Sequence, residues 1–376
     1  MSRSLVINPI LAAMAICVTA VQGLGQPPAG THPRLTIVNG CASGPIWVFY
    51  QVGAGGGSLP NPIGVLSNNG GPVSSPGDPV QLASNQSVSY YIPDMGIAAT
   101  RFWAAYGCDS QGNNCQLGDS GGAQGGVTLP CPAAGCAPSV DSKIEGTFGC
   151  ISGTTPCQNN PSNGRPLTPI DWIDTSMVDG FTLPYKATVD GSCTAAPQNN
   201  TIDCTQLSSG ICPTGDNLSY NLQNQSVNKA FASMNLNLVN PSQNTKWAGT
   251  WAGCYAPGSI LTMNNWGNAP ANLPNAPAPS VSHAPGVYST SDPIAAPYTC
   301  GGITSAQCNA GPVVNTKYVE AIHKYCPQTY AFAYDDQNGL FQCNAATGTS
   351  YTMTFYCPAT ASPPKAAPKK PTKKPK

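Results

Sequence analysis

The sequence predicts a mainly β protein, a sandwich or barrel of short strands, on three observations. Short runs of alternating apolar and polar residues are separated by Gly, Pro and Asn turns, the pattern of many short strands. Gly (40) and Pro (38) are abundant while charged residues make up only 9% of the 376 residues, so turns are plentiful and helices scarce. Sixteen of the seventeen cysteines lie between Cys41 and Cys357. An even, dense set in an exported chain reads as a framework of up to eight disulfides.

The N-terminal segment 1–23 reads as a secretory signal peptide. Arg3 is basic, Leu5 to Val21 is mostly apolar, and small residues follow around Ala20 and Gly23. Such a stretch is too short and too poorly flanked for a membrane span. Cleavage near Gly23 removes Cys17, the odd cysteine. Residues 24–33 read as a linker. Strands are expected over Leu35–Val38, Ile46–Tyr50, Ser87–Ile92, Arg101–Tyr106 and Tyr351–Tyr356, each bounded by turn residues. Cys41 follows the first strand and Cys357 the last, so a bridge between them ties the domain's ends together. The one convincing helical pattern lies at about Thr316–Tyr325, where Tyr318, Ile322 and Tyr325 share one face at i, i+4, i+7. Asn315 or Thr316 can cap it and Cys326-Pro327 ends it. Two segments, 53–79 and 256–297, read as Gly/Ser/Pro- and Pro/Asn/Ala-rich insertions running over the surface. The tail 359–376 is Lys/Pro-rich and expected to be disordered. No internal repeat is found. No later run reaches the roughly 18 apolar residues of a transmembrane helix, and the lysine-rich end does not resemble a lipid-anchor signal.

The overall charge of zero hides an asymmetry. Six of the sixteen basic residues are tail lysines (Lys365, Lys369, Lys370, Lys373, Lys374, Lys376) and one is Arg3, leaving nine in the body against sixteen acidic ones. An acidic body argues against nucleic acid, whose binding rests on neutralising phosphates. The lysine tail reads either as a tether to anionic polymers or membranes or as a solvated flexible end. Sequons at Asn85, Asn199, Asn217 and Asn224 fit a glycosylated, secreted surface, although some arise by chance in an Asn/Ser-rich chain. No Cys-x-x-Cys or His-x-x-x-His spacing appears, so neither a metal nor a cofactor is expected.

Six segments in order resemble one family. Thr36-Ile-Val-Asn-Gly-Cys41 with Ile46-Trp47, Arg101-Phe-Trp-Ala-Ala-Tyr-Gly-Cys108, Leu117-Gly-Asp-Ser-Gly-Gly122, Asp174-Thr-Ser-Met-Val-Asp-Gly-Phe181, Cys326-Pro-Gln-Thr-Tyr-Ala-Phe-Ala-Tyr-Asp-Asp336 and Phe355-Tyr-Cys-Pro358 are similar to segments of thaumatin-like proteins, across residues 34–358. The resemblance implies a flattened β-sandwich with a disulfide-rich loop domain carrying a short helix. It implies the bridges Cys41–Cys357, Cys108–Cys115, Cys193–Cys343, Cys204–Cys326, Cys212–Cys254 and Cys300–Cys308. Ser120 stands where the family has a cysteine, so Cys131–Cys136 is expected to replace that bridge. Cys150–Cys157 flanks a short turn and reads as an added one. One family pair in the loop domain is missing where segment 256–297 is inserted.

The resemblance further implies an acidic cleft lined by Arg101, Glu145, Asp174, Asp179 and one of Asp335 or Asp336, with Asp335 favoured. Several carboxylates in one cleft raise each other's pKa, so that one stays protonated while another stays ionised. Glycoside hydrolysis needs such a pair. Glu145 is cast as the acid and Asp179 or Asp174 as its partner, with Arg101 holding one carboxylate ionised through a charge-assisted pair. The implied ligand is β-1,3-glucan or another cell-wall polysaccharide, met by a secreted monomer in wall remodelling or antifungal defence, with weak endo-glucanase activity in some family members. The plainer alternatives are that these aspartates close turns and that Arg101 and Asp174 form only a structural ion pair. A non-enzymatic, membrane-perturbing or inhibitory defence protein and a wall-associated structural protein remain the competing functions. Trp47, Trp103, Trp172 and Tyr334 are able to stack on sugars, but most are expected in the core. Gly118-Asp-Ser-Gly-Gly122 also spells the nucleophile turn of trypsin-like proteases, but neither His32, His283 nor His323 has the context of a triad base.

Overall fold

In the computed structural model, the described residues are 29–358 apart from 53–63, 68–78, 119–139, 162, 221–230, 241–245, 263–287 and 289. The signal peptide, the lysine tail, Ser120, Cys131–Cys136, Asn224 and most of both insertions lie outside them.

Three sheets are present among the described residues. The first runs in the order β12 (Thr201–Cys204), β10 (Tyr185–Asp190), β16 (Ser350–Phe355), β1 (Thr31–Asn39), β5 (Ser87–Pro93) and β3 (Gly64–Ser67). The second runs β11 (Cys193–Ala195), β15 (Leu340–Asn344), β8 (Ile170–Ser176), β7 (Lys143–Phe148), β6 (Ile97–Tyr106), β2 (Ile46–Val52) and β4 (Val80–Leu82). A small third sheet joins β13 (Asn237–Val239), β14 (Trp251–Tyr255) and β9 (Gly180–Phe181). All five expected strands form, and β1 begins at Thr31, inside the stretch expected as linker.

Alternation explains how the first two sheets pack. Leu35, Ile37, Val88, Tyr90, Tyr185, Ala187, Tyr351 and Met353 point inward from one sheet; Val48, Phe102, Ala104, Ile144, Ile173 and Phe341 point inward from the other. Period-2 side-chain direction puts every second residue on the inner face. Aromatic edges close the contact, with Tyr90 against Phe102 at 4.8 Å between ring centroids and Phe341 against Tyr351 at 5.9 Å. One ion pair crosses this core. Arg34 on β1 pairs with Asp171 on β8, both fully buried. Asp171 also accepts from Gly149 N at 2.7 Å and Tyr351 OH at 3.1 Å, as a buried charge requires.

The outer face of the second sheet is covered at one end. Phe49, Trp103 and Ala105 form a separate apolar cluster with Cys115, packed by Trp47 and Cys108. The loop closed by Cys108–Cys115 therefore covers that end.

The third sheet and four short helices, α1 (Pro257–Thr262), α2 (Ala296–Thr299), α3 (Ser305–Asn309) and α4 (Lys317–Tyr325), form the loop region. Thr316 is the cap of α4, accepting from Val319 N; Asn315 belongs to the preceding turn. The flanks of 256–297 do not run over the surface as expected. Ala256, Gly258, Ile260, Leu261, Ala295 and Ala296 are buried. A Cβ on Gly258 would stand 3.1 Å from Tyr298 O, so α1 rests directly on α2 and the apolar side chains are covered there. Seven of the expected bridges are formed: Cys41–Cys357, Cys108–Cys115, Cys150–Cys157, Cys193–Cys343, Cys204–Cys326, Cys212–Cys254 and Cys300–Cys308.

Candidate functional site

Strand register assembles the site. Arg101 on β6 stands opposite Glu145 on β7, and Glu145 stands opposite Asp174 on β8. The row continues to Gln51 on β2 and Leu340 on β15. Directly opposed residues on one face have Cβ atoms about 4.5–5.5 Å apart. Arg101, Glu145 and Asp174 are all partly exposed, although they come from segments distant in sequence.

The register separates Arg101 from Asp174, the two residues of the expected alternative, a structural ion pair. Glu145 lies between Arg101 and Asp174, so the arginine's nearest acidic neighbour is Glu145. Among the described residues, Arg101 makes no ion pair with any carboxylate. The cation bound to the acidic group is Lys143, which the sequence reading missed. Its side chain is fully buried and its Nζ donates to Asp179 Oδ2 at 2.7 Å. Lys143 lies two residues before Glu145 on β7 and therefore on the same face. The signal was the alternation Lys-Ile-Glu, which puts Lys143 beside Glu145, but period alone does not reveal that this end of the face is covered.

Asp179 reaches the site through a tight turn after β8. Gly180 N donates to Met177 O at 3.1 Å, and Ala256 N donates to Asp179 O at 3.1 Å. Gly180 has φ +146, and a Cβ there would stand 2.2 Å from Cys254 O; only glycine fits. Tyr318 on α4 donates its hydroxyl to Met177 O at 2.6 Å. The spacing of Asp174 and Asp179 thus spans a strand end and a turn pinned by the loop region.

The fifth residue also differs from expectation. Asp335 is buried, and its carboxylate is occupied by His323 Nε2 at 2.7 Å, Ala331 N at 3.0 Å and Asn338 Nδ2 at 2.8 Å. It holds the loop to α4. Asp336 is exposed, accepts from Tyr330 OH at 2.8 Å, and acts electrostatically on Asp174. Adjacent aspartates in an irregular loop cannot be told apart by period, so the sequence carried no signal that would have separated Asp336 from Asp335.

Desolvation, then the negative charge of Glu145, push the Asp174 carboxyl well above the usual carboxylate range; Asp336 adds to this and Lys143 opposes it. The arrangement therefore favours the protonated form of Asp174, with one guanidinium and one buried ammonium close by. The aromatic residues divide. Trp103 is buried and Trp47 partly so, whereas Trp172 is 45% and Tyr334 41% exposed. Asn85, Asn199 and Asn217 are exposed. Among the described residues, no group of three His, Cys, Asp or Glu side chains is arranged to hold a metal ion, and no helix is long and apolar enough to cross a membrane.

Comparison with known proteins gives these features relatives. A model described as the Thaumatin family matches residues 62–358. Thaumatin-like protein 1b of Malus domestica is 26% identical over 281 residues, 74% of this chain and 90% of that protein. A protein of Prunus avium named glucan endo-1,3-beta-glucosidase is 28% identical over 258 residues, 69% of this chain and 71% of its own length. The solved structure of the thaumatin-like xylanase inhibitor TLXI shares 20% identity at a TM-score of 0.24, covering 42% of this chain and 77% of that one.

Proposed function

The chain belongs to the thaumatin family, and from that premise we propose that the row Arg101–Glu145–Asp174, with Asp179 and Asp336 beside it, is a binding site for β-1,3-glucan outside the cell, used in wall remodelling or in defence against other organisms. The observation that carries this reading is the cross-strand alignment of a guanidinium and two carboxyls on a partly open sheet face. Such groups offer hydroxyl-rich ligands several acceptors and a fork of donors at fixed spacing. The Prunus avium relative's name points to the same polymer. The seven disulfides among the described residues support an extracellular setting.

Hydrolysis is the second reading, and one feature favours it. Glu145 and Asp174 are directly opposed across an antiparallel pair, with Cβ atoms about 4.5–5.5 Å apart. Side chains rooted so close together are able to bring their carboxyls to the separation of about 5–5.5 Å used by retaining glycosidases. The raised proton affinity of Asp174 favours it for the acid role, with Glu145 as its partner. This reading reverses the roles expected from the sequence, where Glu145 is the acid.

The test is co-sedimentation with insoluble linear β-1,3-glucan. The parent protein should sediment and soluble glucan should release it, while an Arg101→Ala, Glu145→Gln variant with unchanged melting should stay in solution. Undiminished sedimentation of that variant would refute the site. Reducing-end release that disappears in Glu145→Gln, with the first product keeping its anomeric configuration by NMR, would establish the second reading. Inversion would overturn a retaining arrangement of Asp174 and Glu145.

A further inference from the structure

We propose that Trp172 forms a sugar-stacking subsite beside the carboxylate row, so that the site takes a β-linked glucan chain of two or more residues rather than a single sugar. This rests on the glucan reading above. Trp172 lies two residues before Asp174 on β8, which puts both on the same face about 7 Å apart along the strand. Register sets Trp172 opposite Thr147 on β7 and Gln342 on β15. The outer face is thus graded. Lys143 and Ser176 are fully buried; Glu145 and Asp174 are half-open; Trp172 projects into solvent with 45% of its surface exposed.

Single exposed apolar residues are ordinary on protein surfaces. Trp172 differs in its support and its neighbours. It stands on a central strand paired on both sides, so its backbone is held before any ligand arrives, which lowers the cost of binding. Its two cross-strand neighbours, Thr147 and Gln342, are both partly buried. They carry a hydroxyl and an amide, groups that bond to sugar hydroxyls at the ring's edge. Its own row has no charge, while the next has Arg101, Glu145 and Asp174. A neutral polyhydroxyl chain matches that sequence of surfaces. The β-linked glucose ring keeps its hydroxyls equatorial, so its flat faces present C–H groups to the negative face of an indole. The partner is therefore a linear glucan, with one residue over Trp172 and the next at the carboxylates.

The experiment titrates the protein with a soluble linear β-1,3-linked glucose hexamer, following tryptophan emission and ligand saturation-transfer NMR. Parent, Trp172→Ala, Trp172→Phe, Tyr220→Ala and Glu145→Gln forms are compared after matching their melting curves. Tyr220 is 49% exposed and lies outside the row, so Tyr220→Ala is the control and should bind like the parent. Trp172→Ala should weaken binding about tenfold, the scale of one aromatic contact. Trp172→Phe should recover much of it, and magnetisation transfer from the indole to sugar C–H protons should vanish in the alanine form. If the parent and Trp172→Ala bind equally while Glu145→Gln fails, the subsite is wrong and the carboxylate site stands. If the parent does not bind the hexamer, both the glucan reading and the subsite fall.

Discussion

Asp174 carries the clearest electrostatic consequence in the molecule. Burial and the neighbouring Glu145 raise its proton affinity in the folded chain, so the native state holds this proton more tightly than the unfolded one. Below about pH 4 both states are protonated and no penalty applies. As pH rises from there through the raised folded value, the unfolded chain ionises first, and stability falls until the folded group has ionised as well. Asp174→Asn removes that ionisation. It should melt higher than the parent at pH 7, with the gap closing as pH falls to about 4. Melting curves across that range check it, and a gap that does not change with pH would contradict the account. Lys143 is a fully buried ammonium satisfied by Asp179, and such a pair costs heavily when only one partner is removed.

At the scale of elements, α4 shows how a helix is held by a residue far away in sequence. Its own cap, Thr316, accepts from Val319 N. Asp216 does more: its carboxylate accepts from Lys317 N at 3.1 Å and Tyr318 N at 2.9 Å while it is itself buried. Negative charge at a helix start is favoured by the free N–H groups and the dipole. Thr316→Ala should cost about 1 kcal/mol. Asp216→Ala should cost more, about 2 kcal/mol, because charged hydrogen bonds are stronger. Urea midpoints of the two variants check the order, and equal losses would mean that Asp216 adds nothing beyond an ordinary cap. Gly146 sets a limit of another kind on β7. A Cβ there would stand 2.0 Å from Trp172 O at φ +142, so the pairing that aligns Glu145 with Asp174 depends on a missing side chain.

At the scale of the whole molecule, the chain closes on itself. β1 pairs in parallel with β16, and Cys41–Cys357 links the same two ends across 316 residues of sequence. Closing a long loop restricts the unfolded chain more than closing a short one. Cys150–Cys157 spans only 7 residues. Serine replacement of the Cys41–Cys357 pair should therefore lower stability by about 4–5 kcal/mol, and of Cys150–Cys157 by about 2 kcal/mol. Guanidinium midpoints under non-reducing conditions decide between them. A larger loss from the short bridge would show that native contacts rather than chain entropy dominate.

The sequence by itself determined the mainly β class, the five clear strands, the helix ending at Tyr325, and seven of the bridges, six through the resemblance and Cys150–Cys157 through the short turn it flanks. Period 2, period 3.6, turn residues and cysteine content are local signals, and they survive without knowledge of the fold. Asp174 and Asp179 are named there through one matched segment, and Glu145, which lies in none of the six, only through the cleft that the resemblance implies. Tertiary structure alone decided which groups meet. It set Glu145 between Arg101 and Asp174, buried Lys143 against Asp179, turned Asp335 towards His323 while leaving Asp336 exposed, and covered Trp103 while opening Trp172. It also folded the flanks of 256–297 into the interior. Each of these depends on register and on which face another segment covers, and both are fixed by pairing between residues far apart in the chain.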